Sequence, residues 1–253
     1  IQGNLTYMTI ICTICARGGS KGLSNKALRK INKKPLISYT IRQAIKSNVF
    51  DEIVVSTDSK KIQKVAKYYG AKSWFLRPKK FSHDSSPKLL AIRHALTESE
   101  NYFNKKFKIC VDLDITAPLR DIKDIQNAIK KFNKKKANNL VSVCDAKKNP
   151  YFNMVEKHKN VIQLVKYKKN SNKFSRSFTS DFNIIRRQDA PTVYEMNASI
   201  YVFKREALIK KVKLLNKKTS LFIMPRNRSI DIDDIYDLNL VKLLIKDDKK
   251  LFR

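Results

Sequence analysis

The chain has 253 residues, 42% hydrophobic and 30% charged, the balance of a soluble globular protein with one large domain or one domain carrying an excursion. No apolar run is long enough to cross a bilayer and no secretory leader pattern opens the chain, which predicts a cytoplasmic protein with no membrane partner. The formal charge of +32 is spread over nearly every segment without forming a basic arm; this argues against a specific nucleic-acid partner and leaves a positive field that attracts anionic substrates.

Residues 1–7 precede Met8 and read as an expression remnant or a frayed extension, leaving 8–253 as the folded domain. Met8–Ala16 is a continuous apolar run, suited to a parallel strand covered on both faces. It carries Cys12 and Cys15 at C-x-x-C spacing. With no second close Cys/His pair, these two, Cys110 and Cys144 read as reduced core residues. Leu36–Ser47 has a helical apolar period, and Glu52–Ser56 is a short strand. Ser59 is placed to cap the next helix, with the stripe Ile62, Val65, Ala66 and Tyr69, and Gly70 to end it.

Pro87–Ser99 reads as a helix, Phe107–Leu113 as a strand, Asp121–Phe132 as a helix and Leu140–Val143 as a strand. This alternation predicts an α/β fold with a parallel sheet and right-handed crossovers. It breaks over Pro150–Thr192, where short β-like pieces (Asn153–Lys157, Val161–Lys166) precede the polar stretch Lys168–Asp181. An inserted arm over 150–192 is expected there, packing against a partner subunit. Glu195–Phe203 returns as a strand and Asp233–Lys246 closes the chain as a helix.

Of the 5 glycines, three fall in Arg17-Gly18-Gly19-Ser20-Lys21-Gly22, directly after the first strand. Glycine lets backbone N–H groups approach phosphate oxygens, and Arg17, Lys21 and Lys26 add charge-assisted contacts. The spacing fits neither a Walker loop nor G-x-G-x-x-G, and a tight turn without a ligand is the bland alternative. In Ser229-Ile230-Asp231-Ile232-Asp233-Asp234, an extended backbone turns Asp231 and Asp233 to one face, a pair suited to Mg2+ beside a triphosphate. Asp233 or Asp234 can also cap the closing helix. Asp112 and Asp114 alternate with apolar residues at a strand's carboxyl end. Asp114 is the candidate metal or substrate contact, and Asp112 equally a structural carboxylate. The adjacent Arg186 and Arg187 suit a carboxylate-bearing ligand, or a solvated loop.

In this order, these pieces resemble the acylneuraminate cytidylyltransferase family, the CMP-sialic acid synthetases and their legionaminic acid relatives, over nearly the whole chain. Ala16–Lys26 is similar to that family's A-R-G-G-S-K-G-(I/L)-x-x-K loop. Val54–Ser59, Phe75–Pro78, Thr116–Arg120, Arg186–Asp189 and Ser229–Asp233 match further family blocks. The resemblance implies a Rossmann-like nucleotidyltransferase fold with a mostly parallel sheet, and a homodimer whose β-containing arm helps close the partner's sugar site. It implies transfer of CMP from CTP to the anomeric hydroxyl of an acidic nine-carbon sugar, with Mg2+ as cofactor and pyrophosphate released.

By that resemblance Arg17, Ser20, Lys21 and Lys26, with Gly18, Gly19 and Gly22, hold the CTP phosphates, and Arg77 and Ser85 lie near the cytidine. Asp231 and Asp233 hold the metal, and Arg187, Gln188, Asn197 and Tyr201 line the sugar side; Asp114 joins both sets from its place at the strand's carboxyl end, not from the resemblance. Arg17, Lys21, Asp231 and Asp233 are the candidate catalytic residues.

Three positions depart from the family pattern. Ala27 stands where asparagine follows the loop lysine, Leu113-Asp114-Ile115-Thr116 replaces L-Q-P-T, and Asn197-Ala198-Ser199 replaces N-G-A. With Asn149–Asn153 they lean toward the legionaminic branch. The rival readings are a transferase for the eight-carbon sugar Kdo, a catalytically silent relative, and a basic nucleic-acid-binding protein.

Overall fold

Burial on both faces places the apolar run after Met8 inside a sheet, and the rest of the domain is built around it. The computed structural model describes residues 8–19, 22–166, 186–210 and 213–247. Residues 1–7, Ser20, Lys21 and the stretch Lys168–Asp181, all singled out above, lie outside the described residues. In chain order come β1 (Ile10–Cys15), the short strands β2 (Lys30–Ile31) and β3 (Lys34–Pro35), α1 (Leu36–Ser47), β4 (Glu52–Ser56) and α2 (Lys60–Tyr68). Then follow α3 (Lys88–Phe103), β5 (Ile109–Leu113), α4 (Ile122–Lys134), β6 (Asn139–Asp145), β7 (Val155–His158) and β8 (Val161–Leu164). β9 (Tyr194–Lys204), α5 (Arg205–Ile209), β10 (Thr219–Ile223) and α6 (Ile235–Asp247) complete the order.

Six strands form one sheet in the order β10-β6-β9-β5-β1-β4. β1 runs parallel to both β4 and β5, and β10 parallel to β6, whereas β9 is antiparallel to β5. The sheet is thus mostly parallel, as the alternation of elements predicts, with β9 the reversal. α1 and β4 have the expected bounds. Ser59 caps α2 by accepting from the Ile62 N–H at 3.5 Å. Asp121, expected as the first residue of α4, is instead its N-cap, in a reciprocal capping box with Asp124. α3 runs one turn past the expected Ser99 because Ser99 and Glu100 still face the interior. β10 is the one strand of this six-stranded sheet that the sequence pattern missed. Lying at the sheet edge and only half buried, it shows neither clean alternation nor a continuous apolar run.

Packing divides the chain into two units, one comprising Ile1–Val143 with Met196–Arg253 and the other Cys144–Glu195. The first holds the sheet core and a smaller apolar cluster that includes Leu23, Ile31, Leu36, Tyr39, Ile232 and Leu238. That cluster matters for function, since it pins Ile232, the residue between Asp231 and Asp233, against the segment that follows the glycine-rich loop. In the second unit, β7 and β8 form an antiparallel hairpin turning at Lys159, whose φ is +54°. Among the described residues no helix is long and apolar enough to cross a membrane.

Candidate functional site

Past the carboxyl ends of β1 and β5 opens a cavity of about 470 Å³, lined by Cys15, Arg17, Lys26, Arg77, Lys88 and Asp114 among others. Open α/β sheets place ligands at such strand ends. Cys15 is a correction to the expected all-core cysteines: it faces this cavity, while Cys12, Cys110 and Cys144 are buried and all four are free thiols. Burial raises the Cys15 thiol well above its ordinary pKa, with Asp112 adding to the effect.

The glycine-rich loop is tied down at both described ends. The Gly18 N–H donates to the Asp58 carboxylate at 2.7 Å. At Gly22 a Cβ would sit 2.5 Å from the backbone oxygen of Asp233, so only glycine lets the two segments touch. Lys26, almost wholly buried, donates to the Ile232 carbonyl at 2.6 Å and to the Asp233 carboxylate at 3.0 Å. Arg17 pairs with Asp84 at the cavity rim. Arg77 is 5% exposed, and its Nε donates to Ser82 Oγ at 3.2 Å.

The cavity floor is acidic and carries a cation of its own. Asp112 is fully buried and accepts from Thr13 Oγ1 at 2.9 Å. Lys88, at the start of α3, places Nζ 2.8 Å from Asp112 Oδ2 and 2.5 Å from Asp114 Oδ2. The other oxygen of Asp114 accepts from the Thr116 N–H at 3.1 Å and the Thr116 hydroxyl at 3.0 Å. Burial pulls the Lys88 ammonium toward neutrality, but the two carboxylates outweigh it and raise its pKa well above the usual lysine value. Burial alone would raise Asp114; Lys88 and the Thr116 bonds bring it below the usual carboxylate value. Both Asp114 oxygens are therefore engaged, and a metal ion there would have to displace Lys88.

Asp231 is different. Its Oδ1 is buried with no hydrogen-bond partner. Burial pushes the carboxyl up to about 6; a Thr116 hydrogen bond opposes this, and the charges of Asp114 and Asp233 reinforce it. Ile232 between them is fully buried, while Asp231 is half-buried and Asp233 exposed. Among the described residues no three His, Cys, Asp or Glu side chains gather into a metal cluster. Two carboxylates with an unsatisfied oxygen still fit Mg2+, which usually takes one or two protein carboxylates and completes its shell with substrate phosphates and water.

Several expected ligand residues of the first unit lie off the cavity wall. Asn197 is buried, with Oδ1 accepting from Ser142 Oγ at 2.7 Å and Nδ2 donating to Ser229 Oγ at 2.9 Å, so its amide is spent inside the fold. Tyr201 is also buried, and its ring backs the Lys88 ammonium at 4.8 Å without lining the cavity. Ser85 is exposed and off the cavity wall, whereas its neighbours Asp84 and Ser86 line it. Ala27 is a core residue with no exposed surface. Ala198 has φ +50°, the left-handed region, which accounts for the family's glycine at that position. In the second unit, Arg186 is held by Asp189 at 2.8 Å, Gln188 is exposed, and Arg187 begins a short 3-10 turn.

Lys88 is the residue that sequence reasoning missed. Its signal was present: a carboxylate at Asp114, in place of a neutral amide, needs a counter-charge once buried. Arg120 is a second. Fully buried, it donates to the Ser199 carbonyl at 2.6 Å, Gln43 Oε1 at 3.1 Å and the Asp114 carbonyl at 3.2 Å. Burial pushes its pKa down to about 10.

A family model described as Cytidylyltransferase matches residues 11–250. The chain is 42% identical over 238 residues to a post-translational flagellin modification protein B of Campylobacter coli, covering 94% of this chain and 95% of that protein. It is 44% identical over 236 residues to a CMP-N,N'-diacetyllegionaminic acid synthase of Campylobacter jejuni, covering 93% and 94%. A solved structure of a CMP:2-keto-3-deoxy-manno-octonic acid synthetase complexed with CTP shares the fold. Its TM-score is 0.63 at 17% identity, covering 94% of this chain and 99% of that one.

Proposed function

We propose that this chain, which belongs to the cytidylyltransferase family, transfers CMP from CTP to the anomeric hydroxyl of an acidic nine-carbon 2-keto sugar and releases pyrophosphate. The observation that carries the reading is the joining of the glycine-rich loop to the Asp231–Asp233 segment. Gly22 and Lys26 both contact that segment, so the cations Arg17, Lys26 and Arg77 and the carboxylate of Asp233 line one cavity, while Asp231, two residues back on the same segment, lies behind the wall with one oxygen unsatisfied. The similarity to a CMP-N,N'-diacetyllegionaminic acid synthase supports diacetyllegionaminic acid as the acceptor.

In this reading the sugar's C2 hydroxyl attacks the α-phosphorus of CTP in line. A new P–O bond forms as the bond to the bridging oxygen of the leaving pyrophosphate breaks, and the attacking hydroxyl gives up its proton to solvent. The protein's work is positioning and charge stabilisation, with no covalent intermediate. Arg17, Lys26 and Arg77 hold the phosphates, together with Ser20 and Lys21 by family resemblance. Asp231 and Asp233 would hold Mg2+, which when bound supplies Lewis-acid charge at the phosphates. Arg187 and Gln188 are assigned to the acceptor by resemblance alone.

The second unit is assigned to homodimerisation. Its hairpin exposes Val155 at 64% and Ile162 at 66%, apolar surface of the kind a partner covers. Light scattering of the purified protein at twice the monomer mass would support the assignment, and a monomer would remove it.

The function is tested by pyrophosphate release from CTP with Mg2+, offering sialic, diacetyllegionaminic and pseudaminic acids and Kdo in parallel. Turnover with diacetyllegionaminic acid at least tenfold above the others is the expected result. Failure to bind CTP would overturn the reading.

A further inference from the structure

We propose that Lys88 contacts substrate directly, its ammonium propped at the cavity floor to take an anionic oxygen, either of a CTP phosphate or of the acceptor's carboxylate. The proposal rests on the cytidylyltransferase reading above. An ammonium has three donors: one is hydrogen-bonded to Asp114 at 2.5 Å, and a second faces Asp112 Oδ2 in an ion pair at 2.8 Å. The third is left over on a side chain that is 32% exposed and lines the cavity. A lysine serving only to neutralise buried Asp112 would gain nothing from facing that opening.

The supports hold Nζ in place from several sides. Asp112 is anchored by Thr13, Asp114 by Thr116, and the Tyr201 ring packs against the ammonium. Such a group is pre-organised: its rotamer entropy is spent on folding, not on binding. Two carboxylates against one ammonium leave the cluster one negative charge, so it orients a donor and does not form an anion well. The incoming charge is met by Arg17, Lys26 and Arg77 around the same cavity.

Three variants separate this role from simple charge balance. Lys88→Met keeps the aliphatic stem but removes the ammonium. Lys88→Met combined with Asp114→Asn removes one carboxylate as well, restoring the original net charge, with Asp114→Asn alone as reference. CTP affinity is read by calorimetry without acceptor, and acceptor affinity by calorimetry and by KM with diacetyllegionaminic acid. A charge-assisted hydrogen bond predicts a loss of roughly ten- to a hundredfold in one affinity, in the single and the double variant alike. Loss in CTP affinity identifies the phosphate, and loss confined to the acceptor identifies the carboxylate.

The proposal is overturned if Lys88→Met leaves both affinities within twofold of wild type, or if the double variant matches Asp114→Asn alone. Should wild type bind CTP yet turn over no offered acid, the function falls separately. In that case an unchanged CTP affinity in Lys88→Met sinks this proposal too.

Discussion

The ammonium of Lys26 lies 3.0 Å from the carboxylate of Asp233 and 2.6 Å from the carbonyl of Ile232, joining two ends of the chain at the cavity rim. Because Asp233 is largely exposed, the ion pair itself is worth little, and the buried bond to the Ile232 carbonyl is the anchor. Lys26→Met should cost about 1–3 kcal/mol in thermal or urea unfolding, through the unsatisfied Ile232 carbonyl. It should also weaken CTP binding about tenfold in calorimetry. Unchanged stability would show that the Ile232 bond does not hold the rim.

Gly22 and Gly19 make a contrasting pair in the same loop. A Cβ on Gly22 would meet the Asp233 oxygen at 2.5 Å, whereas one on Gly19 meets nothing within 4 Å. Backbone has to move for Gly22→Ala, a cost of about 1–3 kcal/mol by analogy with overpacked cores, and the Asp segment should shift with it. Gly19→Ala should leave the melting temperature within a degree or two. Equal melting temperatures for the two variants would disprove the close contact.

Away from the site, Glu100 is nearly fully buried and accepts two bonds from Arg205, at 2.6 and 2.8 Å, and one from the Phe107 N–H at 3.2 Å. Burial would raise its pKa; Arg205, Phe107 and Lys106 outweigh that and bring it below the usual glutamate value. With the folded pKa depressed, the stabilisation is present above the unfolded pKa and is lost as pH falls through the folded one. Arg205→Ala should therefore destabilise by roughly 3 kcal/mol at pH 7 and much less at low pH, read from urea curves at each pH. A pH-independent loss would mean that the arginine acts by packing alone.

How much of this was legible in the sequence depends on what each signal measures. Strands buried on both faces and helices with a strong apolar stripe, such as β1, α1 and β4, announce themselves by pattern. Asp234, one of the two aspartates offered as the cap of the closing helix, does cap α6 by accepting from the Tyr236 and Asp237 N–H groups at 2.8 and 2.9 Å. What pattern cannot carry is partnership between distant positions. Lys88 reads as one more surface lysine among many until β5 brings Asp112 and Asp114 to it. Asn197 reads as a free amide until Ser142 and Ser229 close around it. The half-buried edge strand β10 fails for a third reason, since its environment imposes no period.

Asp231 carries the most direct test of the site. Its carboxyl is raised from 3.8 to about 6 in the folded chain, chiefly by burial. Below pH 3.8 it is protonated in both states and costs nothing; as pH rises toward 6 the unfolded state ionises first and stability falls. Asp231→Asn cannot ionise, so its stability relative to wild type should rise across that window and then level off. A bound divalent ion needs the carboxylate, so Mn2+ affinity of wild type, followed by its paramagnetic resonance signal, should be weaker at pH 5 than at pH 7. That dependence should be lost, with at least tenfold weaker Mn2+ binding, in Asp231→Asn. Turnover should drop a hundredfold or more in this variant while CTP affinity changes only a few-fold, because the lost group acts mainly on the transition state. Near-normal turnover in Asp231→Asn would remove the metal assignment, and a Mn2+ affinity flat between pH 5 and pH 7 would place the ion on other ligands.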